Sequence, residues 1–362
     1  MNFKFDNFIK INILSSGSNG NSIIIEFKDN NVIIDLGLSK REFFKRSKIL
    51  DINFEKNNIV LITHFHSDHI KGLINIIGEL NSINFISNFN SIEKIFSENK
   101  KNNKSIDFNS FLNKNKFFTF YFEKKNFIKN INGFFFYPVK TFHDDIDPSA
   151  FLISIKNNKI FYLTDTGKVD QKMYKLAQNS DIIFIEANYD DELLIKCSYP
   201  YHLKKRISSE IGHLSNNQAI NFIIEIINIF FENKDKFSSY KTINSNNEIK
   251  NIYNDKMKIE KYFFFCHLSK NSNNPKHLFN LIIKVLHDNF YNKYNYNIYE
   301  YENSFTNKIE ENKGFDKEII IEIENFYFNI KIIERNKTYS YLFSNNTHNI
   351  AEIKSLNKNI HK

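Results

Sequence analysis

The stretch Ile59-Val60-Leu61-Ile62-Thr63-His64-Phe65-His66-Ser67-Asp68-His69 decides how this sequence is read. Its first four residues are apolar and mostly β-branched, the pattern of a buried strand. The strand runs directly into three imidazoles and a carboxylate. His64 and His66 are two apart, so in an extended segment they point to the same side. Asp68 and His69 fall where the next helix begins. Such groups at a buried strand end are costly unless something satisfies them. Neutral imidazole and carboxylate together suit zinc, and also manganese or iron.

Working outward, the chain alternates strand and helix signals. Ile11 to Leu14 is an apolar run that ends in the turn chemistry of Ser15-Ser-Gly-Ser-Asn-Gly-Asn-Ser22. Ile23 to Phe27 and Val32 to Ile34 read as a hairpin. Helices are expected over Ser39–Ile49, Ile70–Leu80, Asp170–Gln178 and Lys276–His287. Asn216–Phe231 is a strongly amphipathic helix, with Ser215 at its N-cap and Gln218 at the third position. Further strands are expected at Phe85–Ser87, Phe134–Val139, Phe151–Ile155, Ile160–Leu163, Ile182–Ile185 and Tyr262–Cys266. This alternation predicts an α/β fold. The candidate polar residues lie at the ends of apolar strands, where α/β proteins build their sites. Residues 97–130 and 232–258 are polar and weakly patterned, and read as insertions. The expected division is a main domain over 1–295 and a C-terminal extension over 296–362, small and β-rich around Ile319–Ile333.

Composition sets the outer limits. The 362 residues are 41% hydrophobic and 25% charged, as in a soluble globular protein. Two cysteines, Cys197 and Cys266, exclude a disulfide scaffold and a four-cysteine zinc ribbon. No apolar run reaches the ~20 residues of a membrane span. The opening MNFKFDNFIK lacks the apolar stretch of a secretory signal, so a cytoplasmic location is expected. The net charge of +8 favours nucleic acid only modestly. The chain is crowded with Lys, Asn, Ile and Phe, as an A+T-rich coding sequence would give, and its scarce residues are the more informative ones.

The segment from His64 to His69 resembles the HxHxDH signature of the metallo-β-lactamase superfamily. Other residues match that family's pattern in its order: Asp35 in Val32-Ile-Ile-Asp, His143 in Lys140-Thr-Phe-His, Asp165 in Tyr162-Leu-Thr-Asp, and His267 in Phe264-Phe-Cys-His. The resemblance covers roughly residues 10–290. It implies a four-layer αββα sandwich with a metal site at one edge of two sheets. By the same resemblance, His64, His66 and His143 hold one divalent cation, zinc or manganese. Asp68, His69 and His267 hold a second, Asp165 bridges both, and Asp35 orients ligands from behind. Two such ions about 3.5–4 Å apart share a water and acidify it into a nucleophile.

Glu186, after the strand Ile182–Ile185, and His213, before the long helix, resemble the pair that RNase Z-type phosphodiesterases use to protonate a leaving oxygen. Asp68, Glu186 and His213 are therefore the expected catalytic residues. Further colinear motifs narrow the resemblance to the YycJ/WalJ type of bacterial metallo-β-lactamase-fold proteins. They include Ser15–Ser22, Asp144-Asp-Ile-Asp-Pro148, Tyr199-Pro-Tyr-His-Leu-Lys-Lys-Arg-Ile207 and His267-Leu-Ser-Lys-Asn-Ser-Asn-Asn-Pro275. That group implies 5′-to-3′ exonuclease action on double-stranded DNA and a role in DNA repair. Ser18, Asn19, Asn188, Lys204, Arg206, Ser269 and Lys270 are candidate contacts to a phosphate backbone. Two alternatives stand beside this reading. One is a small-molecule ester or thioester hydrolase of the glyoxalase II or lactonase type. The other is a basic nucleic-acid-binding protein whose metals are structural.

Overall fold

Alternating burial builds two sheets face to face in this computed structural model. It describes residues 8–80, 83–93, 115–122, 129–232, 259–291, 293–302, 317–323, 326–335 and 337–344. The strands, in chain order, are β1 (Phe8–Ser15), β2 (Ser22–Phe27), β3 (Asn30–Ile34), β4 (Asn57–Leu61), β5 (Ile83–Asn88), β6 (Lys116–Phe120), β7 (Lys129–Ile131) and β8 (Phe134–Lys140). They continue as β9 (Ser149–Ile155), β10 (Asn158–Leu163), β11 (Ile182–Glu186), β12 (Ile259–Cys266), β13 (Tyr296–Glu302), β14 (Lys317–Ile323), β15 (Phe326–Ile332) and β16 (Tyr339–Ser344). One sheet has the order β16-β1-β2-β3-β4-β5-β6, the other β13-β14-β15-β12-β11-β10-β9-β8-β7. The central pairs β3–β4 and β4–β5 are parallel, as are β10–β11 and β11–β12. Parallel strands end at the same level, which is why so many loops converge there.

Side-chain parity divides the core. Ile59 and Leu61 of β4 face the space between the sheets, with Phe136, Phe151, Tyr162, Phe184 and Phe264 opposite. Val60 and Ile62 point the other way, beneath the helices α1 (Lys40–Ile49) and α3 (Leu73–Ile77), which precede and follow the short α2 (Ser67–Ile70). On the far face, Ile183, Ile185, Phe263 and Phe265 lie under α4 (Gln171–Gln178), α7 (Asn216–Glu232) and α8 (Pro275–Phe290). Two further helices, α5 (Asp191–Lys196) and α6 (Tyr201–Ile207), follow β11 and pack Leu194 and Ile207 with Tyr189. The layers are thus α, β, β, α, as expected. Each large apolar side chain buried in them contributes about 1.5–3 kcal/mol relative to exposure.

Local signals explain the helix ends. Ser215 Oγ accepts from Gln218 N (3.3 Å), and Gln218 Oε1 accepts from Ser215 N (2.8 Å), a complete capping box. The helix expected over Ile70–Leu80 is instead split into α2 and α3. Gly72 is packed so closely that a Cβ would lie 2.0 Å from the Leu38 carbonyl oxygen, and Gly72 N donates to Leu36 O (2.8 Å). That tertiary contact overrides helical periodicity.

The polar segments expected to be insertions divide in the same way. Within 97–130, residues 116–120 form the edge strand β6 beside β5, and β7 begins at Lys129. Residues 233–258 lie outside the described residues. Beyond 295, β14 and β15 form a hairpin, but not a separate sheet. β15 runs parallel to β12, and β16 pairs antiparallel with β1. The chain after 295 therefore supplies strands to both layers of the sandwich. Among the described residues no helix is long and apolar enough to cross a membrane.

Candidate metal centre

The C-terminal ends of β3, β4, β10, β11 and β12 deliver Asp35, His64, Asp165, Glu186 and His267 to one pocket. Asp35, Asp165 and His267 all take positive φ, at 60°, 55° and 56°. Non-glycine residues rarely adopt this region. Here it turns each side chain off its strand and into the pocket.

Hydrogen bonds set the orientation of the imidazoles. Asp35, fully buried, accepts from Thr63 N (2.9 Å), Thr63 Oγ1 (2.8 Å) and His69 Nδ1 (2.7 Å). Because Thr63 Oγ1 gives its proton to Asp35, it accepts one from His64 Nδ1 at 3.0 Å. His64 therefore presents an unprotonated Nε2. His143 Nδ1 donates to Gly212 O (2.8 Å), so its Nε2 faces His66 Nδ1 at 3.1 Å. His69 Nε2 lies 3.2 Å from Asp165 Oδ2, without the alignment of a hydrogen bond. His267 Nε2 is 3.5 Å from Asp68 Oδ2 and 3.6 Å from Asp165 Oδ1.

The donor set fits divalent cations. Ligand atoms within 4.8 Å of one another occur in four groups: His64/His66/His143, His64/His69/Asp165, Asp68/His69/His267 and Asp165/Glu186/His213/His267. His64 Nε2 and Asp165 Oδ2 are buried with no hydrogen-bond partner among the described residues. A buried lone pair without a donor is expensive, and a cation satisfies it.

Electrostatics agrees. Burial and the neighbouring His69 hold His64 well below the usual imidazole range, and burial lowers His143. For His69, burial is outweighed by Asp165, Asp35 and Asp68, which raise it well above that range. For His267 the same contest, dominated on the raising side by Asp165, ends at about 10. The imidazoles in turn hold Asp165 and Asp68 below ordinary carboxylate values despite their burial.

Glu186 is fully buried, and each of its oxygens is engaged. Oε1 accepts from Thr166 N (2.6 Å) and Leu214 N (3.3 Å), and Oε2 accepts from His213 Nδ1 (2.9 Å). His213 Nδ1 also lies 3.5 Å from Asp165 Oδ1. Burial would raise the Glu186 carboxyl, but His213 holds it below its ordinary value.

The candidate backbone contacts are placed less uniformly. Ser18 and Asn19 are exposed at the tip of the loop before β2, and Lys270 is exposed beyond His267. Ser269 is half-buried, and its Oγ accepts from Ser272 Oγ (2.9 Å). Asn188 is buried behind His267, with Nδ2 donating to its carbonyl (3.1 Å). Arg206 is clamped by both oxygens of Asp144, and Lys204 donates to Ile195 O (2.6 Å). Two residues went unnoticed in the sequence. Asn21 Nδ2 reaches Asp68 Oδ2 (3.3 Å) and His69 Nε2 (3.0 Å), and Thr63 joins Asp35 to both His64 and His69. Asn21 carried only a turn signal, and Thr63 reads as the end of a strand.

The sequence and the fold are similar to those of known proteins. The β-lactamase superfamily domain matches residues 30–227. The chain belongs to that superfamily, and within it to the YycJ/WalJ type. It is 30% identical over 223 residues to a Streptococcus pneumoniae protein named exodeoxyribonuclease WalJ, covering 60% of this chain and 77% of that one. It is 26% identical over 225 residues to exodeoxyribonuclease YycJ of Bacillus anthracis, covering 60% and 78%. The metallo-β-lactamase-fold protein YhfI of Bacillus subtilis superposes with a TM-score of 0.52 at 14% identity, over 77% of this chain and 93% of that one. That last likeness concerns the fold alone.

Proposed function

We propose that this chain is a metal-dependent nuclease that degrades double-stranded DNA from 5′ to 3′. In this reading His64, His66 and His143 hold one divalent cation, Asp68, His69 and His267 hold the other, and Asp165 is shared. Bound there, such ions supply an acidified water and polarise a phosphoryl oxygen.

The protein's own groups do the rest. Asp35 and Thr63 hold His64 and His69 in the tautomers that leave Nε2 free. Glu186 takes the Nδ1 proton of His213 in a hydrogen bond and so aims the opposite nitrogen, Nε2, outward. From there a protonated His213 delivers a proton to the departing alkoxide, a step worth about 10²–10⁴-fold. The observation that carries the reading is the buried Glu186–His213 contact at 2.9 Å beside Asp165. A thioester expels a thiolate, which has less need of that proton. The two relatives named exodeoxyribonucleases support the choice of polymer.

The experiment is digestion of 5′- and 3′-labelled duplex DNA and of RNA, with Mn²⁺ or Zn²⁺ added. Stepwise release from the 5′ end of duplex DNA is the expected result. No cleavage by the wild type, or equal cleavage by Asp165→Ala, rejects the proposal. Turnover of thioesters that is indifferent to Glu186→Gln and His213→Ala favours a small-molecule hydrolase instead.

A further inference from the structure

We infer that Arg335, contributed by the C-terminal strands, binds a backbone phosphate of the nucleic-acid substrate at the rim of the metal pocket. The inference rests on the proposed nuclease reading. It concerns a residue outside every motif that led to that reading.

Position is the first observation. β15 runs beside β12, and Ile333 N donates to Phe265 O (2.8 Å), carrying the pairing up to the level where His267 leaves β12. Arg335 comes two residues later. Its aliphatic stem lies across Gly17, where an added Cβ would meet Arg335 Cγ at 3.2 Å and Cδ at 3.4 Å, beside the Leu268 carbonyl oxygen at 3.3 Å. Gly17 belongs to the loop in which Ser16 Oγ accepts from His267 N (2.8 Å) and Asn21 grips Asp68. The guanidinium stem is therefore seated between two segments that touch the metal pocket.

The second observation is an unmet need. Arg335 Nε is buried and has no hydrogen-bond partner, and no carboxylate among the described residues pairs with this guanidinium. By contrast Arg206 is engaged by Asp144, Lys168 by Glu210 and Lys204 by a carbonyl. A half-buried guanidinium without an anion is poorly placed energetically. Asp68 and Tyr199 lie close enough for their charges to be felt at Arg335. Asp68 cannot serve as its counter-ion if it holds a cation.

The third observation is the residue type. The chain has four arginines, and lysine fills nearly all its other basic positions. A guanidinium is the planar fork that matches two phosphate oxygens, which an ammonium does not.

The test uses the metal-loaded full chain and a fluorescein-labelled, nuclease-resistant phosphorothioate DNA duplex, so that binding is read by anisotropy without cleavage. Arg335→Gln should weaken binding about tenfold, the usual value of a charge-assisted hydrogen bond. It should also reduce the slope of log K against log salt by about one. Arg335→Lys should restore the slope but only part of the affinity, which a merely misfolded variant would not do. In turnover with metal, KM should rise about tenfold for Arg335→Gln while kcat changes little. Wild-type affinity and salt slope in Arg335→Gln overturn the inference. A wild type that binds duplex but does not cut it overturns the nuclease reading alone. A wild type that does not bind duplex overturns both.

Discussion

The two halves of the pocket carry opposite electrostatics. Around His64, His66 and His143 other imidazoles crowd beside Asp144 and Asp165, and burial holds His64 and His143 below their ordinary proton affinity. Around His69 and His267 the neighbours are Asp68, Asp165 and, near His267, Glu186, and proton affinity is raised. One half presents neutral lone pairs. The other binds protons until a stronger cation displaces them. The lesson is that adjacent sites built from the same residue types need not load alike.

The largest expected effect comes from the residue that both halves share. Asp165→Ala should reduce DNA cleavage by at least ~10³-fold, because charge stabilisation worth several kcal/mol is lost. Residual activity near wild type would mean that the halves work independently. Next, His213→Ala should cost about 10²–10⁴-fold in kcat, the usual range for a general acid. Glu186→Gln should cost about 10–100-fold, as expected for a group that orients another.

The pH dependence separates the halves more directly. His69 and His267 bind protons more tightly in the metal-free fold than in the unfolded chain. Their contribution to stability is complete below the ordinary imidazole range and fades as pH rises through their raised values, about 10 for His267. The carboxylates of Asp68, Asp165 and Glu186 are shifted down, so theirs is complete above the ordinary carboxylate range and fades in acid. As far as these groups decide it, metal-free protein should therefore melt highest between the ordinary carboxylate and imidazole ranges, in mild acid at about pH 5–6, and lose stability on both sides. Metal should protect the alkaline side by replacing the protons. Metal content should rise from about one ion per chain in mild acid to about two at alkaline pH. Equal loading of both sites at every pH would erase the distinction.

The smallest effect sharpens it. Asn21→Ala removes an amide whose Nδ2 reaches Asp68 and His69 and whose Oδ1 accepts from Gly17 N (2.7 Å). It should lower stability by about 1 kcal/mol and weaken the second ion alone, as read by stepwise metal titration with calorimetry.

This contrast also marks what could be read from the sequence. The heptapeptide from Thr63 to His69 is a local pattern, and it announced itself. Asp165, Glu186 and His267 each end a different strand, and only their order along the chain, set against a known family pattern, drew them together. Periodicity located most strands because burial alternates within a few residues. It failed at Gly72, where a carbonyl from a distant loop breaks a helix, and at 116–120, where Lys and Asn masked an edge strand. It could not find Arg335, whose place depends on β15 choosing β12 as its neighbour. Strand partners chosen across a hundred or more residues leave no trace in the local pattern.

The pairing of β16 with β1 has a consequence for synthesis. The register joins Phe8 to Ser344, so the first strand described waits for the last. Until then β1 offers a bare hydrogen-bonding edge on a nascent chain, the condition under which strands find wrong partners. A stop codon placed after Phe290 would spare every proposed metal ligand and still strip a flank from each sheet, and the product should aggregate.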